Sequence, residues 1–273
     1  MLKQYLNRLR CVSPQIHCIT NYVTANDVAN MLLACRAKPI MAEEPEEAAQ
    51  VTAGCDGLCL NLGTPNEKKV SAMLAAGRQA NALGHPVVFD PVGVGASDFR
   101  RRSAALLTEN ISFSAIRGNI SEIKTLALGQ KRFCGVDADC ADEVTPENIG
   151  QISKLFMRLC AQWDTILVSS GAIDLVCDST QCYAVYNGTE QMRFVTGTGC
   201  QLSAMLTAFL AANPEHPLQA ALCAVCMMGY AGEVAWKNLS PTEGNIAYRG
   251  KIIDAVFRMD EDSIEEGAKF ELR

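Results

Sequence analysis

Residues 57–90 read GLCLNLGTPNEKKVSAMLAAGRQANALGHPVVFD, and this stretch decides the fold. The runs GLCLNL (57–62) and PVVFD (86–90) are short and apolar, as buried strands are. Between them, Thr64-Pro65-Asn66-Glu67 predicts a capping box with proline at the first helical position, and Gly84 predicts the stop. Working outward, QIHCIT (15–20), KPIMA (38–42), FSAIRG (113–118) and DTILVSS (164–170) repeat the strand pattern, and Thr145-Pro146-Glu147 opens a further helix towards Gln162. Strands alternating with helices predict an α/β fold: a mostly parallel sheet covered on both faces.

After Ser170 the pattern changes. IDLVCD (173–178), QCYAVY (181–186) and QMRFVT (191–196) are alternating runs divided by Asp178-Ser179 and Asn187-Gly188, which predicts a small antiparallel extension at a sheet edge. The last third is helical. With no Pro/Ser-rich linker and no internal repeat, residues 1–273 read as a single domain.

Composition is that of a globular protein, 49% hydrophobic and 20% charged, so a packed core is expected rather than disorder. A net charge of −6, with no basic cluster longer than Arg100-Arg101-Arg102, argues against nucleic acid as a partner. Thirteen cysteines at irregular spacing, many in apolar runs, read as small core residues in a reducing cytosol. Neither Cys134 with Cys140 nor Cys177 with Cys182 has the spacing of a structural zinc site. The N-terminus carries charges at every turn, unlike a signal peptide, and the uncharged run Pro217–Gly232 falls short of the roughly 20 residues that cross a bilayer, so no membrane anchor is expected.

In an open parallel sheet, ligands bind beyond the carboxyl ends of the strands. The polar residues there are Asn21, Met41 with Glu43-Glu44, Asn61 and Gly63, Asp90, Arg117 with Asn119 and Glu122, and Ser169-Ser170-Gly171. Asp90 enters the Pro/Gly loop of PVVFDPVGVGAS, where aspartate is also an ordinary turn residue. In IRGNISEI, Glu122 suits a helix N-terminus on dipole grounds alone. Together, Asp90, Asn119 and Glu122 make an oxygen-rich set suited to Mg²⁺ with its waters and phosphates, and Arg117 supplies a fork for the phosphates.

The stretch RFVTGTGCQLSAMLTAFLAA (193–212) places Gly197, Gly199 and Cys200 at the start of an apolar helix, whose free N–H groups form an anion hole. A helix N-terminus contributes up to about 2 kcal/mol, whereas a million-fold acceleration needs roughly 8 kcal/mol. Metal, arginine and glycine turn must therefore converge, and phosphoryl transfer is the chemistry built from such parts.

These residues carry a resemblance. HCITNYVTANDVANMLLACRAKPIMAEEPEEA (17–48), NLGT (61–64), DPVGVGAS (90–97), IRGNISEI (116–123), GVD (135–137), VSSGAIDLV (168–176) and VTGTGCQLSAMLTAFLA (195–211) follow in the order found in the hydroxyethylthiazole kinases of the ribokinase-like superfamily, over about residues 15 to 260. The resemblance implies a ribokinase-like three-layer α/β/α sandwich and ATP-dependent phosphorylation of the hydroxyl of 4-methyl-5-(2-hydroxyethyl)thiazole, in salvage towards thiamine. It also implies a cytoplasmic homotrimer with interfacial active sites. By motif, Asn21, Met41 and Gly197 look like thiazole contacts, Arg117, Ser170, Asn119 and Gly199 like ATP contacts, and Asp90 and Glu122 like the Mg²⁺ region. Cys200 stands where many ribokinase-like kinases carry an aspartate base. At a helix N-terminus its thiol is expected to be lowered in pKa, and to orient the hydroxyl with weak base action as a secondary role.

The chain departs from the family pattern at Cys18, where Asn is usual, at Ala172, where VTGE becomes VSSGA, and at Gly244-Asn245-Ile246, where a Gly-Ser-Phe-like stretch is usual. Three alternatives stand beside this reading. A kinase for a hydroxymethylpyrimidine- or pyridoxal-type alcohol would share the phosphate parts. A thiol hydrolase would need a base for Cys200, and His17, His85 and His216 show no paired motif. A non-catalytic thiazole-binding relative would have no reason to retain Asp90, Arg117, Asn119, Glu122 and GTGC.

Overall fold

The computed structural model describes residues 1–128 and 143–273; the expected GVD motif and the Cys134–Cys140 pair lie outside them. Strands β1 (Gln15–Ile19), β2 (Lys38–Met41), β3 (Gly57–Asn61), β4 (Val87–Asp90), β5 (Ala115–Gly118), β6 (Ile166–Ser169), β7 (Asp174–Cys177), β8 (Cys182–Val185) and β9 (Phe270–Leu272) form one sheet in the order β2-β1-β3-β4-β5-β6-β7-β8-β9. β1 to β6 run parallel, whereas β7, β8 and β9 add as an antiparallel edge.

Side-chain alternation along each strand divides the interior in two. Cys59, Val88 and Val168 face a core built with α1 (Lys3–Val12), α2 (Ala25–Ala34), α8 (Thr198–Ala212), α9 (Pro217–Lys237) and α10 (Asn245–Arg258). Leu58, Leu60, Phe89 and Leu167 face another, formed with α4 (Glu67–Leu83), α5 (Asp98–Asn110), α6 (Ile120–Leu128) and α7 (Ile149–Trp163). Two helical layers on one sheet give the expected three-layer α/β sandwich. The short α3 (Pro45–Ala53) and α11 (Glu261–Gly267) complete the described helices.

Several local expectations shift. The cap of α4 is Asn66, whose side chain accepts from the Lys69 N–H at 2.9 Å, while Thr64 is left outside with a positive φ of 45°. Gly84 does end the helix, in the left-handed conformation that glycine tolerates. QMRFVT is not a strand: Glu190–Phe194 is a 3₁₀ turn. The chain leaves the sheet at Asn187-Gly188, where the Glu233 carboxylate on α9 accepts from the Asn187 amide and the Gly188 N–H, both at 3.0 Å. The vacant edge of β8 is taken by β9, which no alternating run had signalled.

Cys177 and Cys182 are register partners across the β7–β8 hairpin and form a disulfide, so the reading of every cysteine as a reduced core residue fails at this pair. The other described cysteines are free, and apart from Cys11 and Cys200 they are buried. The run Pro217–Gly232 extends to a 21-residue helix, long and apolar enough by composition to span a bilayer. Yet 78% of its most apolar window is buried inside the protein, as a core helix is.

Candidate active site

The parallel order of β1, β3, β4, β5 and β6 brings their carboxyl ends to one rim, and the start of α8 faces them. A cavity of about 400 Å³ opens there. It is lined by nine of the ten residues given a role by motif: Asn21, Asp90, Arg117, Asn119, Glu122, Ser170, Gly197, Gly199 and Cys200. Met41 is the exception, half exposed at the end of edge strand β2. A larger cavity of about 580 Å³ sits at the opposite end of the strands, beside Asp56, His85 and Asp164, and holds none of these residues.

Asp90 is fully buried at the end of β4. Its Oδ2 accepts from Ser203 Oγ at 2.7 Å and Asn61 Nδ2 at 3.0 Å, and lies 3.6 Å from Arg117 Nη1. Burial pushes its pKa up to about 6, with Arg117 and Ser203 pulling down and Glu122 pushing up. The Oδ1 atom is buried without a protein partner. Such an atom asks for a ligand, because an unsatisfied buried oxygen is costly.

Glu122 caps α6 reciprocally: its Oε2 accepts from Asn119 N–H at 2.9 Å, and Asn119 Oδ1 accepts from Glu122 N–H at 2.8 Å. Its Oε1 accepts from Gly93 N–H at 2.8 Å, tying this helix to the loop after β4. Each oxygen keeps a lone pair. The orphaned Asp90 Oδ1 and the hard oxygens of Glu122 and Asn119 fit a magnesium ion that retains waters and takes phosphate oxygens. Among the described residues no three His, Cys, Asp or Glu side chains are grouped so as to hold a metal ion by themselves.

Arg117 projects from β5, donates through Nη2 to Ser170 Oγ beyond β6, and keeps a buried Nε without a partner. Gly197 caps α8 with a φ of 88°, and a Cβ there would lie 2.6 Å from the Thr24 methyl. At Gly199 a Cβ would meet the Arg117 guanidinium, so both glycines are required by close approach.

Cys200, in the first turn of α8, corrects one expectation. Its thiol is raised, not lowered: burial is the largest cause and Asp90 adds to it, against Thr24, Asn21 and Arg117. The sulfur accepts from Asn21 Nδ2 and Asn61 Nδ2, both at 3.3 Å. Asn21, expected at the thiazole, has its amide engaged with Cys200 and with Asn61 Oδ1 at 3.0 Å.

Sequence reasoning passed over three groups. Ser203 shares the inner face of α8 with Gly199 and Cys200, so the spacing Cys-x-x-Ser was its signal. Arg100 donates to Leu62 O at 2.8 Å and Val92 O at 2.7 Å, clamping the loops after β3 and β4, and Thr24 lines the cavity from the start of α2. Neither Arg100 nor Thr24 has a signal in one dimension. Of the departures from the family pattern, Cys18 is buried beside Cys59 in the sheet, Ala172 is exposed in the turn after β6, and Ile246 is exposed at the start of α10.

The model of the hydroxyethylthiazole kinase family matches residues 6–262. A hydroxyethylthiazole kinase of Clostridium acetobutylicum is 48% identical over 271 residues, covering 99% of each chain. One from Methanobrevibacter smithii is 36% identical, over 99% of this chain and 96% of the relative. The solved structure of a hydroxyethylthiazole kinase protein from Pyrococcus horikoshii OT3 superposes with a TM-score of 0.87 at 32% identity, covering 100% of this chain and 98% of that one. A pyridoxal kinase from Staphylococcus aureus, solved with AMP-PCP and pyridoxal, shares the fold at a TM-score of 0.60 and 15% identity, over 95% and 98% of the two chains. With full-length identity, matched fold and the motif residues gathered at one rim, the chain belongs to the hydroxyethylthiazole kinase family.

Proposed function

We propose that the protein transfers the terminal phosphoryl group of ATP to the hydroxyl of 4-methyl-5-(2-hydroxyethyl)thiazole, a thiamine-salvage step carried out in the cytoplasm by a homotrimer. The observation that carries this reading is the buried Asp90 Oδ1 without a partner, set among Arg117, Glu122 and the glycine turn of α8 in one cavity.

The residues divide the work as follows. Arg117 and Ser170 hold the nucleotide phosphates, with Asn119 beside them. Gly197 and Gly199 let phosphate and alcohol approach the free N–H groups of α8. Asp90 and Glu122 would hold Mg²⁺, which when bound would neutralise charge developing on the phosphate oxygens. Cys200 is a neutral thiol, so its principal task is to orient the alcohol in line with the phosphate, which a dissociative transition state permits without a strong base. Gly197 contacts the thiazole from within this cavity, whereas Met41, which stands outside it, would reach the thiazole only across a subunit boundary of the homotrimer. Exposed Tyr22, between the cavity-lining Asn21 and Val23, supports an interfacial pocket, since a large apolar side chain there is suited to a second subunit.

The test is ADP release from Mg²⁺-ATP with and without the thiazole alcohol, with the phosphorylated product identified by mass. Release that depends on the alcohol is expected. A folded protein that binds the thiazole yet releases no ADP would overturn the reading.

A further inference from the structure

The sulfur of Cys200 is gripped from behind by two carboxamides whose orientation the backbone dictates. Asn61, the last residue of β3, is 1% exposed and stands in register with Asp90. Its Oδ1 accepts from the Gly63 N–H at 2.9 Å. A backbone N–H only donates, so the carboxamide oxygen must lie on that side and the nitrogen on the other. Asn61 Nδ2 therefore donates to Asp90 Oδ2 at 3.0 Å and to Cys200 Sγ at 3.3 Å.

Asn21 obeys the same rule. Its Oδ1 accepts from the Val23 and Thr24 N–H groups at 3.1 and 3.2 Å, which turns Nδ2 towards Asn61 Oδ1 and Cys200 Sγ. All four hydrogen-bonding positions of the Asn61 carboxamide are then filled, and it has no freedom to flip. Two N–H donors engage the sulfur from one side, which aims its hydrogen away from both asparagines. The same nitrogen, with Ser203 Oγ at 2.7 Å, pins Oδ2 of Asp90 and stops the carboxylate rotating, while Oδ1 stays without a protein partner.

We propose that Asn61 is a positioning residue for phosphoryl transfer: its carboxamide bridges the Cys200 sulfur and the Asp90 carboxylate, so that the group facing the alcohol and the group facing the phosphate share one fixed register. This rests on the kinase reading above. A buried strand-end asparagine serving only the local turn would need its oxygen alone. Here the nitrogen side is committed wholly to the two functional groups.

A double-mutant cycle on kcat separates these cases, using wild type, Asn61→Ala, Cys200→Ala and the pair. Acting through Cys200, Asn61→Ala lowers kcat about 100-fold, the scale of an ångström-sized misplacement. Uniform binding is untouched, so KM for ATP stays within about threefold. In the Cys200→Ala background the same change costs at least about fivefold less than in the wild type, because one of its two partners is already gone and only the hold on Asp90 remains to be lost. Single-turnover product formation, followed by mass over hours, keeps the slowest variant measurable. Should Asn61→Ala fail to fold, Asn61→Ser keeps a neutral hydroxyl that can accept from the N–H two residues on, as in an ordinary serine turn, while withdrawing the amide donor from Asp90 and Cys200, and the same non-additivity is expected. Losses that multiply in an active enzyme, or an Asn61 variant with wild-type kcat, overturn the proposal alone. A wild-type protein that releases no ADP overturns the kinase reading and the proposal together.

Discussion

Gly199→Ala tests whether the guanidinium of Arg117 must stand where it does. A methyl at position 199 would lie 2.3 Å from Nη1, 2.8 Å from Nη2 and 2.9 Å from Cζ of Arg117. The backbone of α8 is held by its own hydrogen bonds, so the side chain yields. Recovering an ordinary contact of 3.4 Å forces it back by about 1 Å, a displacement that can lower a rate about 100-fold. The retreat draws Nη2 from Ser170 Oγ and widens the 3.6 Å approach to Asp90, removing positive charge from the phosphate position. Stability moves differently. Alanine is favoured over glycine in a helix by up to about 1 kcal/mol, which offsets part of the loss at Asp90. The expected result is a kcat reduced about 100-fold and a raised KM for ATP, with a melting temperature near wild type, measured by ADP release and thermal denaturation. A folded Gly199→Ala enzyme with wild-type kcat and KM would refute the reasoning.

Three further outcomes are expected. Cys200→Asp should keep or raise kcat, since a carboxylate there can accept from Asn21 and Asn61 and supplies a base; a folded variant unable to transfer phosphate in single-turnover assays would remove Cys200 from the reaction. Glu122→Gln should raise the magnesium concentration for half-maximal rate, because it removes a negative charge and sets an amide against the N–H of Gly93 or Asn119; an unchanged magnesium titration would take Glu122 out of the site. His17 is buried with Nε2 against Ala42 O and Nδ1 against Thr52 Oγ1, both at 2.8 Å, and burial holds its pKa below 6.5, against the Ala42 bond and Glu47. The unfolded chain therefore binds the proton more readily, so this contribution is full above pH 6.5 and is lost as pH falls towards the folded value, at most about 1.4 kcal/mol per pH unit. Asp90, raised to about 6, acts with the opposite sign between pH 4 and 6, so the comparison must be wild type against His17→Gln. Melting curves from pH 7.5 to 5 that run parallel for the two proteins would exclude the histidine.

Much of this protein is written locally. The buried strands at 57–61 and 87–90, the stop at Gly84 and the glycines before Cys200 depend on residues within a few positions of one another, so apolar runs and backbone permissiveness determine them in one dimension. Motif order was equally legible, and it placed Asp90, Arg117, Glu122, Ser170 and Cys200 in one site that the tertiary structure assembles. What the sequence could not determine are matters of distance and burial between remote segments. The helix N-terminus argued for a lowered Cys200 thiol, but burial in the assembled fold, with Asp90 adding to it, raises the thiol even against the hydrogen bond from Asn21, 179 residues away. The chain end outcompeted QMRFVT for the edge of β8, because Glu233 on a distant helix pulls Asn187-Gly188 out of the sheet. Met41 stands outside the single-chain cavity for a like reason: a motif names a residue, while only packing decides which surface it faces.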